Sequence, residues 1–146
     1  MERQPIEEAS KFVARGVAHV TLPKVAEPVS VTFVLVPKFT MLAFTSAIEP
    51  LRVANQLTGQ ILFRWQTFSE DGKPVACSNG VPVMTDGTLP EAPPPGYVLV
   101  CGGVEPETQI TLTLADWLRG QWRRGRTVGG LCTGAYALAR AGILKG

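Results

Sequence analysis

Thr127-Val128-Gly129-Gly130-Leu131-Cys132-Thr133-Gly134-Ala135-Tyr136-Ala137-Leu138-Ala139-Arg140-Ala141-Gly142 predicts a short strand that turns sharply at Cys132 into a helix. Within it, Gly130-Leu131-Cys132-Thr133-Gly134 has a glycine two residues before and two residues after the central thiol, the spacing of a nucleophile elbow. The central residue of such a turn takes a sparsely populated backbone conformation, and strand and helix crowd the positions two residues away, so those must be small. A sulfur just before a helix faces the positive end of the helix dipole, which favours thiolate, the form that attacks and oxidises. The alternative is that Cys132 is a small apolar core residue, as most free cysteines are.

Working outward, the remaining segments supply the sheet in which such an elbow sits. Val29 to Val36 is β-branched and apolar almost throughout, the pattern of an interior strand covered on both faces, and Pro37 ends it. Thr40 is placed to cap a helix running to about Leu57, with Leu42, Ala43, Ala47, Leu51, Ala54 and Leu57 at helical spacing and Pro50 bending it. Ile61 to Phe68 reads as a second strand, Asp71-Gly72 as a turn, and Pro74 to Met84 as a small hairpin around Asn79-Gly80. After a proline-rich connector over Pro90 to Pro95, Tyr97 to Cys101 is a buried strand closed by Gly102-Gly103, and Glu107 to Trp122 reads as one helix. Residues 1–28, with Pro5, Pro23 and Pro28, form an extension ahead of the first strand. Strands apolar on both faces and separated by helices predict an α/β fold with a doubly wound, mostly parallel sheet over residues 29–146.

Composition limits the function. With 45% hydrophobic and 18% charged residues over 146 positions, the chain has enough apolar material for a single core. No run approaches the roughly eighteen apolar residues of a membrane span, and the acidic start around Glu7-Glu8 does not read as a signal peptide, so a cytoplasmic protein is expected. Cys77, Cys101 and Cys132 are odd in number and lack metal-ligand spacing; reduced thiols, no metal and no cofactor are expected. A net charge of +2 is too small to point to nucleic acid, and the cluster Arg119, Arg123, Arg124, Arg126 reads as a solvated helix end.

Ligands of parallel α/β sheets bind beyond the carboxyl ends of the strands. Pro37 to Thr40, Gly102-Gly103 and Cys132-Thr133 all fall at that edge. The amides of Gly102, Gly103 and Thr133 are placed to form an oxyanion hole beside the sulfur; the competing reading of the glycine pair is a plain strand-to-helix turn.

The Gly102-Gly103 strand, the elbow with its following Ala-Tyr-Ala-Leu-Ala-Arg-Ala-Gly-Ile-Leu, and the stretch Ser46-Ala47-Ile48-Glu49-Pro50-Leu51-Arg52-Val53-Ala54-Asn55 together resemble the amidotransferase-like (PfpI-type) amino-terminal domain of GlxA-type regulators of the AraC family. The resemblance runs from about Val29 to Gly146. It implies the class I glutamine amidotransferase-like fold, with flavodoxin-like layers, and a sensing and dimerising role for a small polar effector, related to amino acids or quaternary amines. It further implies that the domain continues with at least another strand and helix, followed by a helix-turn-helix pair that contacts DNA. The present chain therefore reads as the front of a longer protein, its PfpI-type domain incomplete and its DNA-binding part absent.

Enzymes of the wider superfamily place a histidine after the elbow, whereas the single histidine here, His19, precedes the first strand. Members of the PfpI-type branch also place an acidic residue early in the first helix beside the thiol; an ungapped comparison puts Ala43 there, with Glu49 further on. General-base help and orientation are each worth orders of magnitude in rate, so the reading leans away from an enzyme. The expected role is a sensor and dimerisation domain of a transcriptional regulator. Its metabolite would bind near Cys132, Gly102, Gly103, Thr133 and Glu49, with Glu49 recognising a cationic group unless it only pairs with Arg52 or Arg64. The alternative is a cysteine-dependent hydrolase of PfpI or amidotransferase type, and redox sensing at Cys132 is compatible with either.

Overall fold

The computed structural model describes Phe12, residues 19–90 and residues 93–144. Most of the expected extension over 1–28 lies outside the described residues. Its end, residues 19–28, runs past the carboxyl end of the first helix, where Val20 donates to Leu57 O and Val25 to Gln60 Oε1.

Five strands form one parallel sheet: β1 (Val29–Leu35), β2 (Phe63–Ser69), β5 (Gly87–Thr88), β6 (Gly96–Cys101) and β7 (Thr127–Leu131), in the order β5-β2-β1-β6-β7. The two-residue strands β3 (Val75–Ala76) and β4 (Pro82–Val83) pair antiparallel, the expected hairpin, with Gly80 of its turn at φ +85°. Among the described residues, the helices given in full are α1 (Met41–Thr58), α2 (Pro106–Gln109), α3 (Leu112–Arg123) and α4 (Gly134–Arg140).

The strands are buried on both faces because side chains alternate along them. On one face Val34 and Val36 of β1 and its end join Val98 and Val100 of β6 beneath Ile110, Leu114 and Leu118 of the α2–α3 segment and Ala137 of α4. On the other, Val31, Phe33 and Leu35 meet Phe39 and Phe44, with Met41, Ala47, Ile48 and Leu51 of α1 packed alongside. Phe44 sits edge-on to both Phe33 and Phe39, at ring separations of 5.4 and 5.7 Å. Helices on both faces of a parallel sheet are the doubly wound arrangement that the sequence predicts.

Two local readings change. The helix expected over Glu107 to Trp122 is two helices, broken at Ile110 and Thr111, both in extended backbone. Ile110 is fully buried, and Thr111 turns its hydroxyl to accept the Leu114 amide at 3.0 Å, so anchoring and capping outweigh helix continuity. Arg140 closes the gap by donating to the Ile110 carbonyl. β5 was not anticipated; it adds to the β2 edge where the Asp86 carboxylate accepts the amide of Thr67 at 2.8 Å. Pro50 does lie inside α1.

Asn55, fully buried on α1, fixes that helix to the start of β2. Its amide nitrogen donates to Phe63 O at 2.8 Å, and its Oδ1 accepts the amides of Leu62 at 2.8 Å and Phe63 at 3.0 Å. Removing the side chain takes this partner from both the amide and the carbonyl of Phe63, while the Leu62 amide keeps Gln60 O at 3.1 Å. Asn55→Ala is expected to lower stability by about 3 kcal/mol, read as a shift of the urea midpoint at unchanged slope. A loss below about 1 kcal/mol would mean that water replaces the side chain.

Candidate functional site

Cys132 follows β7 directly and adopts φ +53°, the left-handed conformation that the elbow spacing predicts. The flanking glycines are a steric necessity. A Cβ on Gly130 would stand 2.4 Å from the Ala135 amide nitrogen, and one on Gly134 would stand 2.0 Å from the Val100 carbonyl oxygen. The thiol is exposed, unlike those of Cys77 and Cys101, so the packing alternative for Cys132 does not apply.

Thr40, at the cap position of α1, leaves the helix uncapped by its side chain. Its hydroxyl instead lies 3.4 Å from the Cys132 sulfur, while its amide donates to Gly102 O at 3.0 Å. The sequence assigns Thr40 to the helix start only; the signal that could have placed it at the sulfur is its position just beyond β1, the neighbour of the β6 that pairs with the elbow strand.

The predicted oxyanion hole is altered. The Gly102 amide donates to Leu131 O at 3.2 Å and is spent on holding the two strand ends together. Thr133 uses its hydroxyl on Gly103 O at 2.6 Å. Gly103 lies so close to the preceding loop that a Cβ there would stand 2.0 Å from Lys38 O. Gly102, Gly103 and Thr133 thus surround the base of the elbow, with the glycine pair serving close packing of backbones.

Glu49 is not brought to the thiol. It lies eight residues beyond the start of α1, about 12 Å along the helix axis, and pairs with Arg52 at 2.8 Å. His19 lies beside Gly59 at the far end of the same 18-residue helix, a length of about 27 Å from the end that meets Cys132. Of the arginine cluster, Arg119 pairs with Asp116 and donates to Ala141 O, and Arg126 donates to Pro93 O. Among the described residues, no three His, Cys, Asp or Glu side chains gather as a metal-ligand group, and no helix is long and apolar enough to cross a membrane.

Apart from the elbow, a concavity of about 980 Å³ opens at the carboxyl ends of β1 and β2. Val34, Val36, Val75 and Leu114 line its interior, and Lys38 and Glu70 stand at it; Cys132 is not among its lining residues. It is assembled from segments far apart in sequence, so no spacing along the chain announces it.

Fold and site together define a parallel α/β domain with an exposed cysteine at a nucleophile elbow. Residues 29–146 match the DJ-1/PfpI family, and the chain belongs to that family. It is 44% identical over 124 residues to the HTH-type transcriptional regulator GbdR of Pseudomonas aeruginosa, an alignment covering 85% of this chain and 34% of the relative. It is also 37% identical over 113 residues to the HTH-type transcriptional regulator GlxA of Rhizobium meliloti, covering 77% of this chain and 35% of that protein. A crystal structure of an AraC family transcriptional regulator from Pseudomonas putida superposes with a TM-score of 0.72 at 32% identity, over 80% of this chain and 63% of that one. The resemblance read from the elbow and first helix is therefore correct. The chain spans about a third of the length of these two curated relatives.

Burial pushes the Cys101 thiol up to about 12, and the Cys77 thiol is buried and donates to Asn79 Oδ1 at 2.6 Å. Brief, limiting iodoacetamide at neutral pH is therefore expected to label Cys132 at least about tenfold faster than either. Raising the pH to 9 should leave Cys101 unlabelled in the folded protein, because its thiol stays protonated there. Peptide mass spectrometry reads both, and equal labelling of the three would contradict the site as described.

Proposed function

We propose that this chain is the sensing domain of an HTH-type transcriptional regulator, cytoplasmic and dimeric, that takes a small polar metabolite at the sheet edge beside Cys132 and Thr133. Its 44% identity to GbdR over 85% of the chain carries the reading, and the likeness to the Pseudomonas putida regulator supports it. DNA contact falls to a helix-turn-helix part of the whole protein. The exposed elbow offers a thiol, the Thr40 hydroxyl and the rim around Gly103 as contacts for a polar ligand. Glu49, two turns away and paired with Arg52, is left out of the site.

A second reading, a cysteine-dependent hydrolase, draws on the left-handed, exposed Cys132. Thr40 beside the sulfur supplies a hydroxyl where a dyad needs a base, which weighs toward binding. In a strain lacking the gene, one set of transcripts is expected to stop responding to one small polar metabolite, and Cys132→Ser is expected to restore the response. Unchanged transcripts across a metabolite panel would remove the regulatory reading. Turnover of an amide, peptide or glyoxal substrate that vanishes in Cys132→Ser would replace it with the second.

A further inference from the structure

The cleft at the ends of β1 and β2 is separate from the elbow and has its own chemistry. Its floor is aliphatic: Val34, Val36 and Leu114 are buried core residues, with Val75 and Val104 along the sides. Among the described residues, no aromatic ring lines it. The lining lysine, Lys38, already pairs with Glu105. The Asp71 carboxyl is held below its ordinary value chiefly by the Lys73 amide and is engaged within its own turn, accepting that amide at 3.1 Å and the Ser69 hydroxyl at 3.4 Å. Glu70 differs. One of its oxygens accepts the Thr111 hydroxyl at 2.7 Å, and among the described residues no lysine or arginine pairs with it. Glu70 lines the cleft and is exposed, and a carboxylate has about four acceptor sites, so one hydroxyl leaves most of its capacity unused.

A concavity of this size at the carboxyl edge of a parallel sheet, apolar with a few polar groups, has the anatomy of a small-molecule site. The position strengthens the case. The connections from β1 and β6 run to opposite faces of the sheet, and residues from both loops, Lys38 from one and Val104, Thr111 and Leu114 from the other, line the cleft. The charges then select the ligand. With Lys38 neutralised and Glu70 free of a cation, the lining favours a positive group over an anion. Quaternary ammonium ions are held mainly by aromatic faces, which this lining lacks, whereas an ammonium with N–H donors can bond a carboxylate directly.

We propose that this cleft binds a protonated amine carried on a short aliphatic body, with Glu70 accepting from the ammonium and Val36, Val104 and Leu114 covering the alkyl part. The site is additional to the one beside Cys132 and does not depend on it. The Glu70 to Thr111 bond has a structural part as well, since Thr111 caps α3. Glu70→Gln keeps an acceptor for that hydroxyl and removes only the charge.

The test uses the 146-residue chain with labelled Leu and Val methyl groups, titrated by NMR with n-butylammonium, tetramethylammonium and butyrate. Saturable shifts of the Val34, Val36, Val104 and Leu114 methyls are expected with butylammonium, with tetramethylammonium and butyrate at least about fivefold weaker. Glu70→Gln is expected to weaken butylammonium by about fivefold or more, and Lys38→Met, which frees Glu105, to tighten it. Equal binding of butyrate, or no effect of Glu70→Gln in a variant whose spectrum is otherwise unchanged, would overturn the proposal. Should Glu70→Gln fail to fold, weakening by Lys38→Met would overturn it instead. Shifts confined to residues around Cys132 would also overturn it while supporting the elbow as the effector site, so the two readings fail separately.

Discussion

The carboxyl edge of the sheet depends on a short backbone ladder between the loop after β1 and the loop after β6. Phe39 and Gly103 form an antiparallel bridge, flanked by Thr40 N–H to Gly102 O at 3.0 Å and Val104 N–H to Lys38 O at 3.0 Å. Around it the chain holds Lys38, Glu105 and Cys132 at φ of 61°, 54° and 53°. Each such conformation costs a residue with a Cβ about 1–2 kcal/mol, so it persists only where neighbours over-determine it. The neighbours here are identifiable. Phe39 is fully buried beside Phe44, Gly103 admits no side chain against Lys38 O, and the Thr133 hydroxyl holds the Gly103 carbonyl.

That arrangement explains why the strands and the elbow are legible in the sequence while the surroundings are not. Interior parallel strands must be apolar on both faces, and Val31 to Val36 and Val98 to Cys101 carry that requirement openly. The elbow is legible because its glycines answer a steric demand within five residues. By contrast, Ile110 and Thr111 lie in a segment whose helical spacing continues on both sides, and only the three-dimensional burial of Ile110 breaks it. Thr40 obeys the local rule for a cap residue, yet the nearby sulfur takes its hydroxyl. The Gly102 amide is drawn into the Leu131 contact by the pairing of β6 with β7, which no local pattern encodes. Glu49 is the first acidic residue of the helix, but it stands two turns beyond the end that meets the thiol and pairs with Arg52 instead.

The cleft and the elbow at this edge share one structural element while presenting different chemistry. Lys38 lines the cleft, Thr40 touches Cys132, and only Phe39 separates them in sequence. Phe39 is locked from both directions, by its ring in the core and by its backbone in the ladder, since its carbonyl also accepts the Ser78 amide at 2.8 Å. A displacement of Lys38 that carried Phe39 with it would have to break the ladder and unseat an aromatic core residue, a cost of several kcal/mol. The side chains of Lys38 and Glu105, each about half exposed, are not so bound. The edge therefore combines an anchored backbone frame with rim side chains held only by an exposed ion pair. Such a frame holds a recognition geometry constant while the groups that meet a ligand adjust to it.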